Sequence, residues 1–302
     1  MTAEFTIDLA TALWLGFVGA CIGSFLNVVA YRMPRGISIV WKPSHCPQCG
    51  HPIRARDNVP VLGWLVLRGK CRDCGKPISP RYAIVEAAMG ATFFLLAYVE
   101  LFSGGANLPG GPISAFTGAA DIVWNPQWPV IGVYLYHCFM FCSLMGMLLI
   151  HRDGKPVPRK LFAGALAVGI LSPVVWRFLY PVPAFSQLAP ENLLTPLATS
   201  AAGLVVGVLP WLFVLFVSSE QEQEQRILHY RNLLRMYAVT GLFLGWQVII
   251  SVLLLAMLTG AVLAFGRKWW KKCAAPIGDL KLFVITLLVV TAWRPLTELF
   301  PW

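Results

Sequence analysis

The chain has 302 residues, 57% of them hydrophobic and only 13% charged, and carries a net charge of +10 at neutral pH. Soluble domains carry about 25% charged residues, so this composition argues against a water-soluble enzyme and points to lipid as the solvent. The positive charge is clustered, with ten Lys or Arg between Arg32 and Arg81 and four between Arg152 and Lys160, while 104–128 and 181–196 hold none. That alternation follows the positive-inside rule for a threaded membrane protein and disfavours nucleic acid as a partner.

The expected fold is an all-α polytopic membrane protein with seven or eight transmembrane helices in contact with the lipid bilayer. The first apolar run, Thr11–Tyr31, is longer than a signal-peptide core of about 7–15 residues and reads as an uncleaved first span. A polar loop rich in Pro and Gly follows, placed in the cytoplasm by its charge. A second span is expected over Ile84–Phe102, with an outer loop at Ser103–Trp128. Val130–Ile150 then returns inward to His151-Arg152-Asp153. Leu161–Tyr180 goes out, Arg177 snorkelling near its end, and Pro196–Val217 comes back.

The segment Ser218–Arg235 mixes Glu220, Glu222 and Glu224 with Arg226, Arg231 and Arg235 and reads as a solvated helix. Met236–Gly266 is an apolar run with basic residues on both flanks. One crossing would put Arg267, Lys268, Lys271 and Lys272 on the outer face. A hairpin broken near Gly241, Gly245 or Gly260 keeps them inside and is the preferred reading, although one long tilted helix is also allowed. The last span is expected over Leu280–Trp293. The domain reading is a first helix at 1–31, a cytoplasmic knuckle domain at 32–81 and a transmembrane domain at 82–302.

Within the first loop, Cys46-Pro-Gln-Cys49 and Cys71-Arg-Asp-Cys74 form two C-x-x-C pairs separated by 21 residues, each followed by a glycine. Four thiolates in tetrahedral array suit Zn(2+), and the spacing is close to that of structural sites. A reducing cytoplasmic loop disfavours disulfides. Because four cysteines close the shell, His45 and His51 read as solvated loop residues. Cys21, Cys138, Cys142 and Cys273 lie in or beside apolar runs and read as small buried hydrophobes.

The words around this knuckle are specific. Gly23-Ser24-Phe25-Leu26-Asn27 with Tyr31-Arg32-Met33-Pro34 resembles the first block of the bacterial prepilin peptidases, as do Asn58-Val59-Pro60-Val61-Leu62-Gly63-Trp64 and Leu67-Arg68-Gly69-Lys70-Cys71. Pro77-Ile78-Ser79-Pro80-Arg81-Tyr82 with Glu86 continues the match, which is dense over about residues 19–90. The resemblance implies an inner-membrane aspartyl protease of type IV pilus or type II secretion systems. It would cut the leader from pilin-like or pseudopilin precursors at the cytoplasmic face. Many such enzymes also methylate the new N-terminus with S-adenosylmethionine. Gly16, Gly19 and Gly23 on the first helix read as close-packing residues and give no cofactor signature.

The family's chemistry needs two carboxylates, one ionised to activate water and one protonated to polarise the amide. Pro276-Ile277-Gly278-Asp279-Leu280-Lys281 resembles the family's Gly-x-Gly-Asp-x-Lys motif and assigns the second role to Asp279, with Pro276 standing where the family has its first glycine. The first Asp is expected seven residues before the Pro of Val157-Pro158, where this chain has His151, with Asp153 two residues beyond. Three readings are open: Asp153 has taken the role through a local shift, His151 pairs with Asp279, or proteolysis is lost. The last would leave a catalytically impaired homologue that binds precursors or assembly machinery. A membrane zinc protein sharing only the knuckle is the remaining alternative, disfavoured by the dense match. The extra segment at 218–266 between the two motifs is a second departure from the family, and a hairpin there would stand in for helices missing after Asp279.

Overall fold

The computed structural model describes residues 3–41, 43–109, 112–176, 179, 194–217, 224–266 and 277–299. Ten α-helices are present among them: α1 (Ala3–Arg32), α2 (Leu62–Val66), α3 (Arg81–Leu96), α4 (Gly118–Trp124), α5 (Trp128–Arg152), α6 (Arg159–Val175), α7 (Leu194–Val217), α8 (Glu224–Gly266), α9 (Ile277–Thr291) and α10 (Trp293–Leu299). No strand is present among the described residues. Five helical stretches are long and apolar enough to cross a membrane, within α1, α3 with its continuation, α5, α7 and α8. The apolar part of α9 is shorter. Bulky apolar side chains such as Trp14, Leu209, Phe213 and Phe216 stand exposed on these helices, as lipid-facing surfaces require. This is a multi-pass membrane protein. Arg177, the loop at 181–193 and the basic stretch at 267–272 lie outside the described residues.

The chain divides into two compact units, Met1–Tyr98 and Val99–Trp302. In the first, α1 and α3 form an antiparallel pair whose contact is built from small residues. A methyl group on Gly19 would meet the Met89 carbonyl oxygen at 2.7 Å, and one on Gly23 the Glu86 Cα at 2.9 Å. With no driving force from water, close backbone approach is what joins helices in lipid, so the glycines serve the packing role expected of them. Cys21, expected to be buried, is exposed on α1.

In the second unit α5 is the central helix, with Met140, Phe141, Leu144, Met145 and Met147 all buried. It packs against α6, α8 and α9. Phe141 meets Phe283 of α9 edge-on at 5.2 Å, and His137, nearer the start of α5, lies 5.9 Å from Trp293 beyond the end of α9. The two helices are therefore antiparallel. The C-terminal end of α5 and the N-terminal end of α9 share one end of the bundle.

The long helix α8 is broken at Gly245, whose φ of 81° and ψ of 173° only glycine adopts readily. A methyl group on Gly207 of α7 would meet both the Tyr237 carbonyl oxygen, at 2.5 Å, and Ile249 Cγ1, at 3.5 Å. In a straight helix those two residues would stand about 18 Å apart, so the chain folds back at Gly245. The second arm is an uncharged run of about 20 residues, long enough to span a bilayer, while the first is apolar only from Met236 to the break. The fold-back itself is the hairpin expected from the charge pattern. Both α5 and α9 contact α8, so the hairpin lies against the helices bearing the two motifs. The solvated helix expected over 218–235 is present in its described part, with Glu224, Arg226 and Arg231 exposed, but it is continuous with the first arm, and Asn232 on it is 1% exposed.

α3 runs on into a π-helical turn, Ala97–Leu101. It carries Glu100, which bonds His137 Nδ1 at 2.7 Å with both side chains fully buried. An isolated charge at such depth is strongly unfavourable, and pairing is the usual resolution.

Candidate functional site

The cysteine knuckle is built from two copies of one turn. Gly50 N–H donates to the Cys46 carbonyl and Cys46 N–H to the His51 carbonyl, and the same pattern links Gly75, Cys71 and Lys76, all at 2.8–2.9 Å. Gly50 and Gly75 have φ of 74° and 66°, the left-handed geometry that lets each pair aim two sulfurs at one point. The sulfurs of Cys46, Cys49, Cys71 and Cys74 lie within 4.8 Å of one another, and Cys46 and Cys74 are 3.9 Å apart. A tetrahedral ion with metal–sulfur bonds of about 2.3 Å needs sulfurs about 3.8 Å apart. The residues therefore fit a structural metal. His45 and His51 are exposed and stand outside the cluster.

Several motif residues around the knuckle hold it in place. Arg72 grips the Asp57 carboxylate with two bonds of 2.6 and 2.7 Å, which holds that carboxyl below its ordinary range, and Arg54 bonds Asp73 at 3.0 Å. Arg32 donates to the Ser38 and Pro43 carbonyls, and Trp64 Nε1 to the Ile78 carbonyl. Glu86, buried on α3, accepts the Val61 N–H at 2.7 Å. Val61 has a positive φ of 62°, rare for a β-branched residue, and the buried carboxylate anchors that turn.

At the other candidate site, His151 occupies the last turn of α5 and is 9% exposed. Its Nδ1 lies 3.4 Å from Nδ2 of Asn232 on α8, and its ring centroid is 4.7 Å from that of the exposed His229. Asn232 Oδ1 accepts the Val157 N–H at 3.1 Å, and its Nδ2 donates to the Lys155 carbonyl at 2.9 Å. Arg235 donates to the Val157 carbonyl. One turn of α8 thus clamps the segment after α5. Asp153 follows as the C-cap of α5, exposed between the exposed Arg152 and Lys155.

Asp279 lies in the first turn of α9, at the same end of the bundle as His151, and its side chain is outside the described residues, as is Pro276. A methyl group on Gly260 of α8 would meet Lys281 Nζ at 3.4 Å, so the second arm of the hairpin runs beside the motif lysine. His229 and Asn232 were not among the residues singled out from sequence. The only sequence signal for them was the position of two uncharged polar side chains among charges, which a solvated helix also explains.

Comparison with known proteins agrees with these local features. The Bacterial Peptidase A24 N-terminal domain matches residues 17–100, nearly the whole first unit. A "Prepilin leader peptidase/N-methyltransferase" of Klebsiella pneumoniae is 32% identical over 258 residues, covering 81% of this chain and 91% of the relative. One of the same name from Myxococcus xanthus is 31% identical over 83% of this chain and 61% of its own length. A "Type 4 prepilin-like proteins leader peptide-processing enzyme" of Escherichia coli is 40% identical over 36% of this chain and 48% of the relative. No solved structure matches the chain.

Proposed function

We propose, on the premise that this chain belongs to the prepilin leader peptidase/N-methyltransferase family, that it cleaves the leader from pilin-like or pseudopilin precursors of a type IV pilus or type II secretion system. The cut falls at the cytoplasmic face of the bacterial inner membrane, the side to which the positive-inside rule assigns the basic segments around the knuckle and after α5. Zn(2+) is the ion that best suits four thiolates, and its role is to hold the knuckle's fold. Membership of that family carries the peptidase reading, and the contrast at the first motif bears on which residue there would serve it. His151 is buried and held by Asn232, whereas Asp153 is exposed beside Arg152 and Lys155. The pair favoured is His151 with Asp279.

In this reading ionised Asp279 takes a proton from water as the water oxygen bonds to the scissile carbonyl carbon. The carbonyl electron pair moves onto its oxygen, which a hydrogen-bond donor at position 151 stabilises. The tetrahedral species collapses as the C–N bond breaks, and the proton on Asp279 passes to the leaving amine. The products are a carboxylic acid and a new N-terminus, and the Asp279 carboxylate is restored. The relatives' name also implies a methyl group for that amine, which S-adenosylmethionine would supply. The glycine face of α1 is filled by α3 and offers no cradle for that cofactor.

A second reading, a homologue that binds precursors without cutting them, is favoured by the same exposed Asp153, since it leaves one carboxylate where the family's chemistry uses two. Leader cleavage of a co-expressed prepilin-like substrate separates the two. On the peptidase reading wild type cleaves, Asp279→Asn and His151→Ala each lose about 100-fold or more, and Asp153→Asn stays near wild type. Substrate bound but uncut by wild type would select the second reading.

A further inference from the structure

The carboxamide of Asn232 has an orientation that its backbone partners decide. The Val157 N–H can only donate and the Lys155 carbonyl can only accept, so Oδ1 faces the first and Nδ2 the second. The remaining Nδ2 hydrogen points to His151 Nδ1, 3.4 Å away. An amide nitrogen has no lone pair to offer, so Nδ1 must be the acceptor and therefore carries no proton. A neutral imidazole keeps its one proton on the other nitrogen.

We infer that Asn232 is a positioning residue that fixes His151 as the neutral tautomer with its proton on Nε2. This rests on the peptidase reading for its purpose, though not for its geometry. The basic nitrogen of His151 is occupied, so the side chain is a poor general base. Its other nitrogen then carries an N–H, the kind of donor that a protonated carboxyl supplies when two carboxylates share the work. Neutral imidazole can polarise a carbonyl in that way. Position 151 is thus tied to a residue 81 positions along the chain, and the ionised role is left to Asp279.

The tautomer can be read without any activity. The protein has five histidines, so the full chain labelled with 15N-histidine in detergent gives a spectrum in which His151→Gln identifies the His151 signals. The expected result is a protonated Nε2 and an unprotonated Nδ1. Asn232→Asp keeps an acceptor for the Val157 N–H but sets an oxygen against Nδ1, and should move a proton onto Nδ1. Unchanged His137 signals in that variant show that the core is intact. Cleavage by Asn232→Asp should fall about 100-fold in kcat with little change in KM, the pattern of an interaction made in the transition state. A wild-type Nδ1–H form, or wild-type turnover in Asn232→Asp, overturns the inference. Absence of cleavage by wild type with the Nε2–H form in place overturns the peptidase reading and leaves the tautomer assignment standing.

Discussion

Each cysteine turn of the knuckle closes on itself within six residues, and so the thiols experience one another before any ion arrives. The Cys49 backbone N–H holds the Cys46 thiol down to about 7. The His51 N–H also pulls on Cys49, yet burial and the neighbouring thiols push Cys49 up to about 12. A metal must displace the protons that remain, and binding therefore weakens as pH falls. The sign follows from the ligands: below about pH 7 even Cys46 binds a proton that the ion has to expel. Zinc retention by the intact protein, measured against a chromophoric chelator, should fall at least about tenfold per pH unit from pH 7 to 6, one decade per proton displaced. A flat profile would mean that the cysteines are not the ligands. This site was legible because spacing, glycines and thiols all lie in the local sequence. Asn232 was not: its partners are 75 to 81 residues away, and a buried polar residue on a charged helix looks the same as a solvated one until its tertiary neighbours are known.

At the scale of elements, the five long apolar helices were foreseen from apolar runs, and charge favoured a fold-back in α8 without fixing where it falls. A run of apolar residues has the same signature in one tilted helix as in two arms, and only Gly245 with its left-handed φ decides between them. The arms are held to α7 by backbone contact. Methyl groups on Gly203 and Gly241 would run into each other's carbonyl oxygens, and a carbonyl in a helix cannot move aside. Gly203→Ala should therefore destabilise the protein by about 1–3 kcal/mol, the usual cost of overpacking. Gly164→Ala on α6, where nothing lies within 4 Å, should be neutral or stabilising by about 0.5–1 kcal/mol through reduced backbone entropy. Thermal unfolding of the two variants in the same detergent makes the comparison. Equal shifts would show that α7 and α8 are not in backbone contact.

For the whole molecule, the hairpin changes which ends of the chain meet. The first arm of α8 starts where Asn232 and Arg235 hold the segment after α5. The fold-back at Gly245 returns the second arm to the same end, where Gly260 passes Lys281 at the start of α9. His151, Asn232 and the motif containing Asp279 are gathered there only because the chain reverses. A single crossing would carry residue 266 to the far side and separate the two motifs by the thickness of a bilayer, about 30 Å. Sidedness thus tests architecture and site together. Protease sites inserted after Gln223 and after Lys271 should be cut from the same face of the membrane, the face that also exposes a site inserted at Gly154. Cutting of the Lys271 insertion from the opposite face would remove Asp279 from the His151 end. No two-group mechanism could then be built from these residues, whatever the family of the chain.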